Sequence, residues 1–217
     1  MKSLHATLFA LFTLVAIPLA SAANSVAAAT PPTRTVLLVG DSLSSAHRIP
    51  AEAGWVNLLQ QRVNAARTTP PTIINASRGG KTLTDALKEL PGLIAAHHPQ
   101  LVILELGAND AILGASRQQL ETDMTRLIDM AQASGAKVAV LGFRIPPKLD
   151  KDHCADMLAG VYQRIQHDKQ IVLLPSLMAG ISDQPALLLD DGVHPGVDAQ
   201  KLLLDNTWAT LRPLLLN

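Results

Sequence analysis

Aromatic side chains are scarce in this chain: Phe, Tyr and Trp supply 3% of its 217 residues. Proteins that hold bases or sugars by stacking need such rings, so that mode of recognition has little to work with. An excess of one charge is also missing. Lys and Arg number 18, Asp and Glu number 18, and the isoelectric point is about 7.1. Nothing in that balance calls for nucleic acid or an anionic surface as partner. Cysteine occurs once, at Cys154, so no internal disulfide is available and the core must suffice alone. Cys154 sits in a polar stretch, His153-Cys154-Ala155-Asp156, that reads as a helix start. Adjacent helical residues point in different directions, so His153 is not placed to activate the thiol, and a structural role is expected. Beyond the first residues, no run is long and apolar enough to cross a bilayer.

What the chain does contain is 48% apolar and 17% charged residues, a globular composition at a length that suits one domain. Met1-Lys2 gives a short basic start, His5 to Ala20 is apolar, and Ala20-Ser21-Ala22 has the small-residue pattern of a cleavage site. Residues 1–22 therefore read as a secretory signal peptide, cleaved near Ala22. No Cys follows the apolar run, which argues against a lipid anchor. Residues 23–34, rich in Ala and Pro, read as a loose leader, and 35–217 as the folded domain. The protein is expected in the periplasm or secreted, with no permanent membrane anchor.

Within 35–217, periodicity alternates between strand and helix. Thr35 to Val39 is an apolar, β-branched run. Trp55 to Val63 has helical spacing, and Thr72 to Ala76 is a short second strand. Thr82 to His97 is a helix that Pro91 is expected to kink. Leu101 to Gly107 is the third strand. A long helix from Ser116 to about Ser134 stops at Gly135. Lys137 to Gly142, a helix from Asp152 to His167, Gln170 to Leu174, and a helix from Val197 to Leu211 complete the chain. Five such alternations mean a five-stranded parallel sheet with helices on both faces and right-handed crossovers.

The polar signals fall where strands end: Ser42, Gly80, Asn109, and the Asp191/His194 pair after the fifth strand. In such a sheet those ends share one edge, so residues distant in sequence can meet around one substrate. The first strand stops at Gly40-Asp41-Ser42, which delivers a hydroxyl to that edge. Asp191-Gly192-Val193-His194 puts a carboxylate three residues before an imidazole. In a turn, the acid can hold one ring nitrogen and leave the other as a base, as in a serine hydrolase. Asp190 is the rival orienter, but its spacing suits a tight turn less well. The Ser42 N–H, the Gly80 N–H and the Asn109 amide fit an oxyanion site, being donors that cannot act as bases. Asp110 reads as structural.

Together, Gly40-Asp41-Ser42-Leu43-Ser44, Gly80, Gly107-Ala108-Asn109-Asp110 and Asp191-Gly192-Val193-His194 resemble the four blocks of the SGNH (GDSL) hydrolase superfamily, in that order. The resemblance is nearest to its small bacterial periplasmic thioesterase I, lysophospholipase and arylesterase group, and covers about Thr35 to Leu211. It implies an α/β fold, a flavodoxin-like three-layer α/β/α sandwich. It further implies Ser42 as nucleophile, His194 as base, Asp191 as orienter, Ser42, Gly80 and Asn109 as the oxyanion site, and no metal or cofactor. Residues 111–116 line up with that group's loop over acyl chains, and the acyl chain is expected to lie over Ile112, Leu113, Ile145 and nearby apolar side chains. Where the group often has Gly followed by an aromatic residue, this chain has Ala46-His47.

The expected activity is hydrolysis of small acyl esters and thioesters through an acyl-Ser42 intermediate by a monomer. A carbohydrate O-deacetylase of the same superfamily is the second reading, and a non-catalytic flavodoxin-like binder the third. Leu43, Ala46, His47 and Arg48 do not build the phosphate cradle that such a binder needs.

Overall fold

The first strand, β1 (Thr35–Gly40), is buried from Val36 onward and is an interior strand of a sheet in a computed structural model that describes residues 34–150 and 153–217. The signal-peptide and leader readings, up to residue 33, and the expected helix start at Asp152 lie outside the described residues. The remaining elements follow in chain order: α1 (Trp55–Ala66), β2 (Thr72–Asn75), α2 (Leu83–His97), β3 (Leu101–Glu105), α3 (Ala108–Ile112), α4 (Arg117–Ala133), β4 (Lys137–Leu141), α5 (Cys154–Lys169), β5 (Val172–Leu174) and α6 (Gln200–Leu216). Among the described residues the sheet has five strands, all parallel, in the order β2-β1-β3-β4-β5. The expected fold class is therefore observed.

This order decides where a site can form. The chain steps from β1 outward to β2, then crosses back over β1 to start β3. Right-handed crossovers then place α1 on one face and α2, α4 and α5 on the other. The packing agrees: α1 lies against α6, α2 against α4, and α4 against α5. The direction reverses between β1 and β3, and ligands of open α/β sheets bind outside the strand carboxyl ends at that reversal. Gly40 and Glu105 pair there. Both strands are sealed on both faces, as parallel strands of Val, Leu and Ile require.

Local sequence sets the helix starts. Thr82 accepts from the Asp85 N–H while the Asp85 carboxylate accepts from the Thr82 N–H, a capping box that starts α2. Ser116 caps α4 through the Gln119 N–H. α1 has only Gly54 at its cap position; the Gln200 side chain, from α6, accepts the Trp55 N–H instead. The Trp55 ring is buried and donates to the Leu43 carbonyl at 3.1 Å, tying α1 to the loop after β1.

Several boundaries differ from expectation, each for a backbone reason. β3 ends at Glu105, not Gly107, because Gly107 takes φ +106 and turns the chain into α3. That short helix was not anticipated. Left-handed Gln170 closes α5, so β5 starts two residues late, at Val172. α6 continues through Pro213 to Leu216, well past Leu211.

Candidate functional site

The turn after β1 is drawn tight by its own backbone. Asp41 C=O accepts from the Ser45 N–H, and the Asp41 carboxylate accepts from the Leu43 N–H. This lifts Ser42 to the sheet edge. At the opposite side of the edge, Asp191-Gly192-Val193-His194 forms a closed turn. Gly192 N–H reaches Leu189 C=O, Leu189 N–H reaches His194 C=O, and Gly192 adopts φ +61. A left-handed residue is needed there, and glycine takes that conformation without Cβ strain. Lys148 Nζ donates to the Asp191 carbonyl and pins the turn.

The two turns meet. Ser42 Oγ lies 2.9 Å from His194 Nε2, and His194 Nδ1 lies 2.8 Å from Asp191 Oδ2. Asp191 Oδ1 accepts from the Val193 and His194 N–H groups. Partial burial pushes the Asp191 carboxyl up, but these N–H donors and the imidazole outweigh it and hold the group well below the usual carboxylate range. An ionised carboxylate on Nδ1 fixes the ring so that Nε2 can accept a proton from Ser42. Asp190 pairs with Arg48 at 2.7 Å, and of the two acids it is Asp191 that contacts His194.

Two of the expected backbone donors are left unengaged. Among the described residues neither the Ser42 N–H nor the Gly80 N–H has a partner. Gly80 has φ +71, and a Cβ there would meet no atom within 4 Å, so the conformation, not crowding, demands glycine. The third expected donor is differently placed. Asn109 Nδ2 is already engaged, with Asp41 Oδ2 at 3.1 Å and with the Lys81 carbonyl at 3.0 Å. Both carboxylate oxygens of Asp110 accept from the Leu83 N–H at the start of α2.

The apolar candidates divide. Ile112 and the 77% exposed Leu113 line a groove of about 430 Å³ with Gly114, Cys154 and Met157. Ile145 is 2% exposed and belongs to the core. It offers no surface to an acyl chain, which corrects that expectation. Phe143, two residues before it, is also buried, so this segment after β4 turns alternate apolar side chains into the core.

Three residues beneath and beside the site escaped the sequence reading. Glu105 is buried and accepts from Ser44 Oγ at 2.9 Å and from the Asp41 N–H at 3.3 Å. Burial pushes its carboxyl well up, and the Asp41 charge adds to this. Burial also raises Asp41, to about 6, against the Leu43 N–H and the Glu105 hydrogen bond that lower it. Burial therefore opposes charge on both members of the pair, and the Asp41 carboxyl takes the Asn109 amide. A lone acid closing an otherwise apolar, doubly buried strand was the available signal. It also explains Gly40: a Cβ there would lie 2.9 Å from both Glu105 Oε2 and Ser77 Oγ. Lys81, 2% exposed, donates to the Ala76 carbonyl and to Glu89, anchoring the Gly79-Gly80 turn from below. His47 lies with its ring centroid 4.3 Å from that of His194.

Among known proteins, the model of the GDSL-like Lipase/Acylhydrolase family matches residues 38–202. Esterase TesA of Pseudomonas aeruginosa is 37% identical over 84% of this chain and 90% of its own. Thioesterase 1/protease 1/lysophospholipase L1 of Escherichia coli K12 is 31% identical over 83% and 85%. Among solved structures, the psychrotrophic esterase EstA from Pseudoalteromonas sp., inhibited by monoethylphosphonate, has a TM-score of 0.78 and 33% identity, covering 85% of this chain and 100% of that one.

Proposed function

Since the chain belongs to the GDSL-like lipase/acylhydrolase family, we propose that it hydrolyses acyl esters and thioesters through an acyl enzyme formed on Ser42. The observation that carries this is the unbroken relay from Ser42 Oγ to His194 Nε2 and from His194 Nδ1 to Asp191, at 2.9 and 2.8 Å.

In this reading His194 Nε2 takes the Ser42 proton as Oγ attacks the acyl carbonyl carbon. The carbonyl oxygen gains negative charge and accepts from the Ser42 and Gly80 N–H groups, which have no competing partner among the described residues. Asn109 joins them by giving up its bond to the Lys81 carbonyl while Asp41 keeps hold of its other N–H. Collapse of the tetrahedral adduct breaks the bond to the alcohol or thiol, which leaves with the proton from His194. Water then enters, gives its proton to His194 and attacks the acyl carbon. Ser42 is released with its proton restored. Each oxyanion donor is worth about 3–4 kcal/mol in such a site.

The groove beside α3, with Ile112 and Leu113, is the proposed acyl site, and thioesters are proposed as substrates beside oxygen esters because the E. coli relative is named a thioesterase. Export and action as a monomer remain part of the proposal. Export rests on the composition of residues 1–22, and N-terminal sequencing of the mature protein tests it. No helix of the described residues is long and apolar enough to cross a membrane.

Ser42→Ala tests the reading. Turnover of p-nitrophenyl acyl esters and of acyl thioesters should vanish while the circular dichroism spectrum and melting temperature stay the same. Retained turnover in that variant would remove Ser42 from the reaction.

A further inference from the structure

His47 takes no part in the proposed reaction, yet the fold holds it against the reacting imidazole. Its ring centroid lies 4.3 Å from that of His194, with the planes tilted by 41°. On either side of it, Ala46 (φ 56) and Arg48 (φ 57) adopt left-handed conformations, which are strained for non-glycine residues. Arg48 fastens the loop by pairing with Asp190 at 2.7 Å. One donor atom from each of His47, Asp191 and His194 lies within 4.8 Å of the other two.

We propose that His47, Asp191 and His194 form a binding site for a borderline transition-metal cation such as Zn²⁺, and that occupancy of this site stops turnover. The inhibitory half rests on the ester-hydrolase reading given above.

Two imidazoles and a carboxylate suit Zn²⁺, Cu²⁺ or Ni²⁺, whereas Mg²⁺ and Ca²⁺ prefer all-oxygen sets. Zinc bonds of about 2.0–2.2 Å at tetrahedral angles place neighbouring donor atoms roughly 3.4 Å apart. The present separations need to close by no more than about 1.4 Å, within reach of a half-buried His47 on a loop and an exposed Asp191 turn. Water would take the fourth position. Arg48 is the opposing charge, but it stands 3.7 Å from Asp191 Oδ2 and keeps its shorter contact with Asp190.

Either ring nitrogen of His194 gives the same outcome. Metal on Nε2 occupies the lone pair that faces Ser42. Metal on Nδ1 takes the place of the proton shared with Asp191, and the ring's single proton moves to Nε2. In both cases His194 cannot accept the Ser42 proton. The metal is thus an inhibitor of the resting site and not a participant in its chemistry.

The test titrates zinc chloride into the wild-type protein and into His47→Ala and His47→Gln, reading binding by calorimetry and, separately, turnover of a p-nitrophenyl ester. Wild type should bind one Zn²⁺ per chain, lose turnover as the site fills, and regain it on adding EDTA. Both His47 variants should match wild type without zinc and need at least tenfold more zinc for binding and for inhibition. Magnesium should do nothing to any of the proteins. Equal zinc sensitivity in wild type and the His47 variants, or no zinc binding to wild type, would overturn the proposal. Binding that depends on His47 in a protein with no turnover at any zinc level would support the metal site and count against the hydrolase reading.

Discussion

Asp191→Asn is the substitution whose consequence the geometry fixes most tightly. Asp191 uses Oδ1 for two backbone N–H groups and Oδ2 for the imidazole. Asn has one oxygen and one NH₂. The two N–H groups that shape the turn claim the oxygen, so the NH₂ faces His194 Nδ1. That nitrogen must then accept, and the ring proton moves to Nε2, where it points at Ser42. The base is lost although no atom has moved. In a well-studied serine protease the same exchange costs about 10⁴ in kcat, equivalent to roughly 5.5 kcal/mol of barrier. A fall of 10³–10⁴ in kcat for a p-nitrophenyl acyl ester is expected here, with KM nearly unchanged and a melting temperature close to that of wild type. Asp190 cannot substitute, because it is held by Arg48. A kcat within tenfold of wild type would refute the orienting role of Asp191.

Asn109→Ala should lower kcat by about 10²–10³ with little change in KM, since its amide is needed only once charge develops on the carbonyl oxygen; steady-state kinetics on one ester suffices. Glu105→Gln tests the upward shift of the buried Glu105 carboxyl. Folded-state values raised above the unfolded ones mean that stability from this pair is complete below about pH 4 and is lost as pH rises through the folded values, from about 6 for Asp41 upward. Urea midpoints across pH 5–9 should fall less steeply in Glu105→Gln than in wild type, and parallel slopes would contradict that upward shift. Asp191, held low, acts in the opposite sense, adding stability above about pH 4 that disappears on acidification. Gly40→Ala should destabilise by about 1–3 kcal/mol in urea melts, because its Cβ would press on Glu105 and Ser77 at 2.9 Å.

Much of this was legible beforehand because it depends on local pattern. Apolar runs gave the five strands, and their alternation with helices gave the parallel sheet. A parallel sheet sends every strand end to one edge, so Ser42 and His194, separated by 152 positions, could be expected to meet there, and they lie 2.9 Å apart. The spacing of Asp191 and His194 was a property of a single turn. What escaped depends on long-range packing. No periodicity shows that Glu105 slides under Gly40, that Lys81 is sealed below its own turn, or that Asn109 is already engaged by Asp41 and the Lys81 carbonyl. Helix ends were misjudged where a non-glycine residue, Gln170, adopts a left-handed conformation, and at Pro213, which tertiary support keeps inside α6. Ile145 is expected against the acyl chain, yet its side chain, like that of Phe143, turns into the core while Arg144 between them is exposed.

The account stands on Ser42 Oγ being an activated nucleophile, and a covalent probe reads that directly. Incubating the protein with an activated ethyl phosphonate ester should add one phosphonyl group per chain, and fragmentation of the peptide spanning residues 35–62 should place it on Ser42. The Ser42→Ala protein should gain no mass. Labelling at another residue, or equal labelling of Ser42→Ala, would contradict the account.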